Sequence, residues 1–289
     1  MRLLVFGRTG QVGTELGRIA AANLHITALG REEADLKDAP ACADWIRCAD
    51  ADVIINAAAF TAVDKAEDEE DWAMAINGVA PGAMADAAAA RGIPFLHVST
   101  DYVFDGGKDA AWVESDPVAP LGAYGRSKLA GEQAIQAAGG PHAILRTAWV
   151  FSAHGSNFLK TMLRAGEGRD ELKVVDDQYG GPTPAASIAE ALVDMAQAFV
   201  AGNGVSGVFH FAGQPATTWC GFAREIFAQS GWDKVPKVIP IRTEDWPTPA
   251  IRPMNSVLDC SLIQNTYGIS QPDWCAGIGT VLADLRETT

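Results

Sequence analysis

The N-terminal stretch places a glycine-rich turn between a short apolar run and a helical pattern. Residues 3–6 are continuously apolar, which is typical of a strand buried on both faces of a parallel sheet. Gly7, Gly10 and Gly13 follow, and residues 11–22 carry a pattern that predicts a helix. Glycines at this spacing let a pyrophosphate approach the backbone at the positive end of a helix. The stretch therefore predicts a dinucleotide-binding turn in an α/β fold.

Apolar strands and helical stretches alternate along the first half of the chain. Strands are predicted at residues 25–29, 52–59, 94–98 and 143–151, with an alanine-rich crossover helix at residues 72–91. Strands that alternate with helices indicate parallel order. We therefore predict a Rossmann-type doubly wound parallel sheet with a smaller, loop-rich α/β substrate lobe.

Two domains are predicted from the change in pattern near residue 150. Residues 1–150 are assigned to a dinucleotide-binding Rossmann domain, and residues 151–289 mainly to the substrate-binding lobe. The helical segment near residues 183–200 is expected to return to the first domain. Further predicted elements are strands at residues 207–211 and 237–241 and a helix at residues 219–229.

Charge and cysteine content limit the partners that the chain can have. A net charge of −14 repels nucleic acid and anionic membranes. The 5 cysteines are odd in number and lack C-x-x-C spacing, so we expect free thiols and no metal site. No apolar run reaches the length of a signal-peptide core or a membrane span. These features predict a cytoplasmic protein.

The end of the second predicted strand indicates which dinucleotide binds. A carboxylate is usual there in NAD sites, whereas this chain has Gly30 and Arg31, and an arginine can pair with a 2′-phosphate. NADPH is therefore favoured, and Glu32 and Glu33 leave NADH open. The residues predicted to contact the cofactor are Gly7, Thr9, Gly10, Gln11, Val12, Gly13, Arg31, Asp35, Leu36, Ala57, Ala58, Ala59, Tyr124 and Lys128.

Tyr124 and Lys128 lie four residues apart in the first turns of a predicted helix, so both can face one bound molecule. A positive charge at about 4 Å supplies roughly 4 kcal/mol, enough to lower a phenol pKa from about 10 to about 7. Chance alone gives roughly 0.1 such pairs in a chain of this composition. Thr100 ends a predicted strand, where ligands bind in open α/β sheets. Together these residues predict a proton-transfer site.

The order of these motifs resembles the extended short-chain dehydrogenase/reductase superfamily and, within it, the dTDP-4-dehydrorhamnose reductase family. The resemblance covers essentially the whole chain. It is carried by residues 7–13 (GRTGQVG), 56–59 (NAAA), 61–67 (TAVDKAE), 99–104 (STDYVF), 124–132 (YGRSKLAGE), 177–180 (DQYG) and 252–256 (RPMNS).

The resemblance implies NADPH-dependent reduction of the C4 ketone of dTDP-4-dehydro-L-rhamnose, the last step of dTDP-L-rhamnose synthesis. It implies Tyr124 as the proton donor, Thr100 as the residue that orients the carbonyl, and Lys128 as the group that lowers the Tyr124 pKa and binds the nicotinamide ribose. Contacts to the dTDP-sugar are implied for Thr100, Asp101, Tyr102, Trp149, Asn157, Arg252 and Asn255.

Two departures from related patterns refine the expectation. Sugar-nucleotide 4,6-dehydratases carry an acidic residue after the Thr-Asp pair, whereas this chain has Tyr102, which disfavours dehydration. Some relatives form a dimer held partly by Mg²⁺. Glu15 is present, but the acidic residues expected after the Gly-Pro-Thr turn are replaced by residues 185–187 (AAS), which makes a metal-dependent dimer doubtful. A homodimer remains open.

Two other functions remain open at this point. One is reduction of another 4-keto sugar nucleotide. The other is a non-catalytic NADP-binding regulatory subunit, which the complete set of Thr100, Tyr124 and Lys128 argues against.

Overall fold

The computed structural model describes residues 1–19 and 23–287, and its centre is a sheet of 6 parallel strands in the order β10-β5-β4-β3-β1-β2. Parallel order confirms the predicted fold class. The strands are β1 Arg2–Phe6, β2 His25–Leu29, β3 Val53–Asn56, β4 Phe95–Thr100, β5 His142–Thr147, β6 Val150–Phe151, β7 Glu171–Val175, β8 Tyr179–Gly180, β9 Thr183–Pro184, β10 Gly207–His210, β11 Thr217–Thr218 and β12 Lys237–Ile241.

Helices cover both faces of this sheet. They are α1 Gln11–Arg18, α2 Ala39–Cys48, α3 Val63–Asp68, α4 Glu70–Met74, α5 Ala80–Ala90, α6 Ala123–Ala138, α7 Phe158–Gly166, α8 Ala185–Val200, α9 Trp219–Gln229, α10 Ser261–Tyr267 and α11 Trp274–Glu287. A π-helical segment, Ala75–Val79, joins α4 to α5, and short 3₁₀ turns lie at Asp101–Val103 and Thr243–Asp245.

Side chains alternate between the two faces of the central strands and form a separate apolar core on each face. Leu3 and Val5 of β1 point to one face of the sheet, where they join residues of α1 and α8. Leu4 and Phe6 point to the other face, where they join residues of α2, α5 and α6. All four side chains are at most 2% exposed. The continuous apolar pattern of the predicted first strand is therefore explained by burial on both faces.

Several predicted boundaries differ from the structure. Helix α1 ends at Arg18 with Ile19 extended, and the rest of the predicted helix, residues 20–22, lies outside the described residues. Strand β3 ends at Asn56, so residues 57–59 are loop. The long helix predicted at residues 72–91 contains a π-helical segment.

The strand predicted at residues 143–151 is broken. Trp149 has φ of 48°, a left-handed conformation that a strand cannot contain, and β5 therefore ends at Thr147. After this bend the chain leaves the main sheet, and β6 pairs with β9 instead. Helix α8 matches its predicted range and packs on α1, while β10 joins the main sheet beside β5.

The rest of the later chain forms a smaller layer around β7, β12, α7, α9 and α11. Strands β7 and β12 pair in parallel, and the aromatic residues Phe151, Phe222 and Trp274 form part of a separate apolar cluster. Within the described residues, none of the helices combines the length and apolar character required to cross a membrane.

A buried ion pair ties α6 to the main sheet. Arg146 Nη2 on β5 lies 2.6 Å from Glu132 Oε2 on α6, and the two side chains are 5% and 2% exposed. The other carboxylate oxygen, Oε1, accepts hydrogen bonds from Arg146 Nε at 2.9 Å and Ser99 Oγ at 2.5 Å. If one partner is lost, the other charge stays uncompensated in the interior. The free-energy cost of that charge exceeds what the ion pair contributes to stability.

We expect Glu132→Gln to lower the free energy of unfolding by about 3–5 kcal/mol, measured by urea denaturation, because the Arg146 charge stays buried without its partner. The double variant Glu132→Leu/Arg146→Met removes both charges and should recover most of this loss. The matched surface control, Lys234→Gln, removes the exposed pair with Asp170 and should leave the midpoint unchanged. Equal effects of the buried and surface variants would contradict this expectation.

Candidate active site

A cavity of about 570 Å³ lies at the carboxyl ends of the central strands, next to the point where the chain order reverses between β1 and β3. Most of the predicted site residues meet in its wall. Those that line it are Gly7, Thr9, Gly10, Gln11, Val12, Arg31, Asp35, Leu36, Ala57, Ala58, Ala59, Thr100, Asp101, Tyr102, Tyr124, Lys128 and Trp149.

The glycine-rich turn forms one end of this cavity. Gly7 has φ of 104°, and a Cβ there would lie 2.8 Å from the Ala58 nitrogen. A Cβ on Gly13 would lie 2.0 Å from the Gly7 oxygen, so Gly13 allows close packing but does not line the cavity, and its cofactor contact stays a prediction. The N-terminus of α1 has no side-chain cap. Its backbone N–H groups therefore suit an anionic ligand such as a pyrophosphate.

Arg31 lies at the same end of the cavity. Its side chain is exposed, and it forms no ion pair with any described residue. The neighbouring Glu33 is already engaged, since it accepts the Gly30 N–H at 2.8 Å and pairs with Arg8 at 2.9 Å. The hydrogen bond from Gly30 is the main reason why the pKa of Glu33 is lowered. Arg31 is thus free to meet a phosphate, whereas the Glu33 carboxylate is already paired.

Thr100 and Tyr124 are held together by a close approach of α6 to the end of β4. A Cβ on Gly125 would lie 2.3 Å from the Tyr102 oxygen, so glycine is needed where the helix starts. The Tyr102 and Tyr124 rings meet edge to face, with centroids 5.5 Å apart. Thr100 Oγ1 donates to Asp101 Oδ1 at 2.9 Å and accepts the Tyr102 N–H at 3.2 Å.

Burial raises the pKa of Tyr124 well above its ordinary value, and a hydrogen bond with Thr100 opposes this shift only in part. The prediction that Lys128 lowers the Tyr124 pKa is therefore wrong for the chain by itself. Lys128 is 1% exposed, and its Nζ contacts the Val98 oxygen at 2.7 Å and His97 Nε2 at 3.0 Å. Burial lowers the pKa of Lys128 to about 8. Tyr124 and Lys128 both lie on α6, as their four-residue spacing predicts, but the Lys128 ammonium is directed to the sheet.

Trp149 forms part of the cavity wall. Its ring stacks on Trp219 with centroids 3.5 Å apart and planes 9° apart. Gly180 makes room for it, because a Cβ there would lie 2.5 Å from the indole ring. The left-handed bend at Trp149 is thus accommodated by packing on both sides, and the indole is presented to the cavity.

Arg252 adjoins the cavity without lining it. Its Nη2 pairs with Asp64 Oδ2 at 2.8 Å, and its guanidinium lies 5.9 Å from the centre of the Tyr102 ring. Its Nη1 is buried and has no hydrogen-bond partner within the described residues. An unpaired cationic donor behind Tyr102 suits an anionic ligand group.

Asn157 and Asn255 do not reach the cavity. Asn157 Nδ2 donates to Gln11 Oε1 at 2.9 Å and to the Ser152 oxygen at 2.8 Å, while its Oδ1 caps α7. Asn255 Nδ2 donates to the backbone oxygens of Lys108 and Ala110. Both amides are used within the protein, so the substrate contacts that the resemblance implied for them remain predictions without geometric support.

Sequence reasoning missed three polar residues behind the cavity. His97 and Asn56 are 0% exposed and bond to each other, and His97 also contacts Lys128. Asn77, in the π-helical segment, donates to Ser127 Oγ at 3.0 Å and to the Phe60 oxygen. A histidine inside an otherwise apolar strand was the available indication, because a buried polar group needs a partner.

The fold and the cavity define the class of the protein. A doubly wound parallel sheet, a glycine-rich turn at the N-terminus of α1, and a threonine, tyrosine and lysine in the same cavity characterise a Rossmann-type, dinucleotide-dependent oxidoreductase.

Comparison with known proteins identifies the family. Residues 1–287 match the family described as "RmlD substrate binding domain". A dTDP-4-dehydrorhamnose reductase from Burkholderia thailandensis is 44% identical, with 99% of each chain covered. The chain therefore belongs to the dTDP-4-dehydrorhamnose reductase family, and the resemblance predicted from its motifs is confirmed.

Solved structures agree with this assignment. The dTDP-4-dehydrorhamnose reductase from Clostridium acetobutylicum is 36% identical, with a TM-score of 0.91 over 99% of this chain and 100% of that one. The enzyme from Bacillus anthracis, solved in complex with NADP, is 30% identical, with a TM-score of 0.91 over 98% and 99% of the two chains.

Asp101 generates a prediction about stability. Its side chain is 2% exposed, its Oδ2 has no hydrogen-bond partner within the described residues, and burial raises its pKa from 3.8 to about 6. A carboxyl whose pKa is raised on folding destabilises the protein when ionised. This penalty is complete above about pH 6 and disappears as the pH falls towards 3.8.

We expect Asp101→Asn to be more stable than the wild type at pH 7.5, by at most about 3 kcal/mol, because the variant has no buried charge. The difference should shrink when both proteins are compared at about pH 4.5. Urea denaturation at the two pH values measures it. A difference that is independent of pH would show that ionisation of Asp101 is not its cause.

Proposed function

We propose that this protein reduces the C4 ketone of dTDP-4-dehydro-L-rhamnose with NADPH, which yields dTDP-L-rhamnose. The observation that carries the proposal is one cavity that joins a glycine-rich turn, suited to a pyrophosphate, to Thr100, Tyr124 and the indole of Trp149. Membership of a family whose relatives carry this name supports the substrate. The NADP complex of the B. anthracis relative supports the cofactor.

The residues present fit the cofactor along the length of the cavity. The N–H groups at the start of α1 face the pyrophosphate position, Arg31 suits the 2′-phosphate, and residues 57–59 form a wall of small side chains. Lys128, in the wall beneath the reacting end, suits the nicotinamide ribose. Bound NADPH supplies the hydride that reduces the ketone carbon.

Tyr124 supplies the proton in this proposal. As the carbonyl carbon is reduced, negative charge develops on its oxygen, and a neighbouring phenol can donate a proton to it. A proton donor must be protonated before the reaction, so the raised pKa of Tyr124 keeps it in the required state at neutral pH. Thr100 lies beside the phenol in the cavity wall, and its hydroxyl can donate to the same oxygen once it turns away from Asp101 Oδ1.

Tyr102 and Arg252 favour reduction over dehydration. The position after Asp101 holds a phenol whose pKa is raised to about 12 by burial, and such a group is a poor base at neutral pH. Arg252 lies next to this ring, and the diphosphate contact that the resemblance implies for it requires its buried, unpaired Nη1 to turn towards the cavity. We infer that the cavity is built for protonation of a ketone in a nucleotide sugar.

We also infer the domain arrangement and the assembly. Residues 1–150, together with α8 and β10 of the main sheet, form the NADP-binding domain, and most of the later chain binds the sugar nucleotide. Glu15, the residue that would serve a metal-bridged dimer, lies 3.2 Å from His154 Nε2 and 3.6 Å from Arg18 Nη1. A carboxylate already paired in this way supports the expectation that a dimer would not depend on Mg²⁺.

We expect Tyr124→Phe to reduce turnover by about 10²–10⁴-fold with dTDP-4-dehydro-L-rhamnose and NADPH, because the general acid is lost. Binding of NADPH should persist, measured by fluorescence titration. The control Tyr267→Phe removes a remote hydroxyl that bonds to the Val205 backbone and should keep wild-type turnover.

Product identification with NADPH and with NADH completes this experiment. No consumption of either cofactor by the wild type would favour a regulatory subunit, and faster turnover of another 4-keto sugar nucleotide would reassign the substrate. Higher efficiency with NADH would refute the inferred role of Arg31. Unchanged turnover in Tyr124→Phe would refute the assignment of the acid.

A second prediction concerns Asn157, whose amide donates, together with the Ser152 hydroxyl, to Gln11 in the cofactor wall. We expect Asn157→Ser, which keeps an N-cap hydroxyl for α7, to weaken NADPH binding about 5-fold through loss of this hydrogen bond, with little change in KM for the sugar nucleotide. Titration with NADPH and steady-state kinetics measure the two effects. A raised KM for the sugar with unchanged NADPH affinity would restore Asn157 as a substrate contact.

A further inference from the structure

His97 is a fully buried imidazole immediately behind the proposed reaction site. It lies in β4, three residues before Thr100, and is 0% exposed. It does not line the cavity and therefore does not contact a ligand there. Its neighbours along the strand are Phe95, Leu96 and Val98, so an apolar side chain would serve packing alone.

Both ring nitrogens of His97 have partners in the interior. Nδ1 lies 3.1 Å from Asn56 Nδ2, and Nε2 lies 3.0 Å from Lys128 Nζ. Lys128 Nζ also donates to the Val98 oxygen at 2.7 Å. The imidazole therefore connects β3 to the lysine on α6 in one continuous row of hydrogen bonds.

The direction of these hydrogen bonds depends on the charge of the lysine. The Ala58 N–H donates to Asn56 Oδ1 at 3.1 Å, which turns Asn56 Nδ2 towards His97. In this arrangement Nδ1 must accept, Nε2 must carry the proton, and Lys128 must accept as an amine. An ammonium has no lone pair, so Nε2 must then accept and Nδ1 must donate to the amide oxygen of Asn56, which turns and gives up its hydrogen bond from the Ala58 N–H.

We propose that His97 is a positioning residue that exchanges between its two neutral tautomers as Lys128 gains or loses a proton, so that the lysine keeps its hydrogen bond to Nε2 in both charge states. The proton balance is simple. Lys128 takes one proton from water, while the imidazole loses its proton at Nε2 and gains one at Nδ1, and its own charge does not change.

The charges around the pair are consistent with this exchange. Burial and the neighbouring Lys128 lower the pKa of His97 well below its ordinary value, so the ring stays neutral. Burial lowers the pKa of Lys128 to about 8, and Glu132, one turn further along α6, opposes this shift. The lysine therefore changes charge in a range where the imidazole does not.

NMR of the full chain labelled with ¹⁵N-histidine tests the proposal without any ligand, independently of the proposed function. The protein has 5 histidines, and the signals absent from His97→Gln identify His97. We expect a neutral ring throughout, with the proton on Nδ1 below about pH 7 and on Nε2 above about pH 9. A single tautomer over this range, or an imidazolium, would overturn the proposal.

Kinetics provide a second readout, which rests on the proposed reductase activity. His97→Leu offers no hydrogen bond to Lys128, so charging the buried lysine becomes harder. The pH at which kcat/KM for NADPH falls on the alkaline side of its pH profile should then decrease by about one unit. His97→Gln has an amide that can donate to or accept from Lys128 after turning. In this variant kcat/KM should fall at the same alkaline pH as in the wild type. Identical profiles for all three proteins would also refute the proposed role, provided that the variants keep the wild-type melting temperature.

Discussion

The site depends on how closely helix α6 lies against the carboxyl ends of β4 and β5. Three residues on one face of α6 make this contact. Gly125 admits the Tyr102 oxygen, Lys128 reaches the Val98 oxygen, and Glu132 pairs with Arg146 in the interior. Positions three and four apart share a helix face, so these contacts also fix the direction of Tyr124. The proton donor is therefore placed by the same packing that stabilises the fold.

Burial of these polar groups has a chemical consequence. Burial makes a charge costly, so the ionised form of the half-buried Tyr124 and the charged form of the fully buried Lys128 are both disfavoured. The simple picture of a lysine that makes a tyrosine acidic does not describe the chain by itself. In the structure the phenol of Tyr124 lies in the cavity wall with Thr100, and Lys128 Nζ lies 3.0 Å from His97 Nε2, the ring that we propose changes tautomer with the charge of the lysine.

Much of this arrangement could be predicted because it depends on local sequence patterns. Three of these patterns involve only residues that are close in sequence: the apolar run before Gly7, the glycine spacing and the position of Arg31. The structure brings these elements to one cavity. The break at Trp149 could not be predicted, because a left-handed bend there is stabilised by Trp219, which is distant in sequence. The partners of Asn157 were unpredictable for the same reason, since Gln11 lies 146 positions away.

The sequence by itself determined the class of fold, the dinucleotide turn, and the residue types of the proton-transfer set, since these follow from periodicity, glycine spacing and motif order. Only the tertiary structure decided what the polar groups do. The partner of Lys128 is His97 on a neighbouring strand, and the partner of Glu132 is Arg146 on another. Protonation states depend on burial and on contacts between distant segments, and these exist only after the chain has folded.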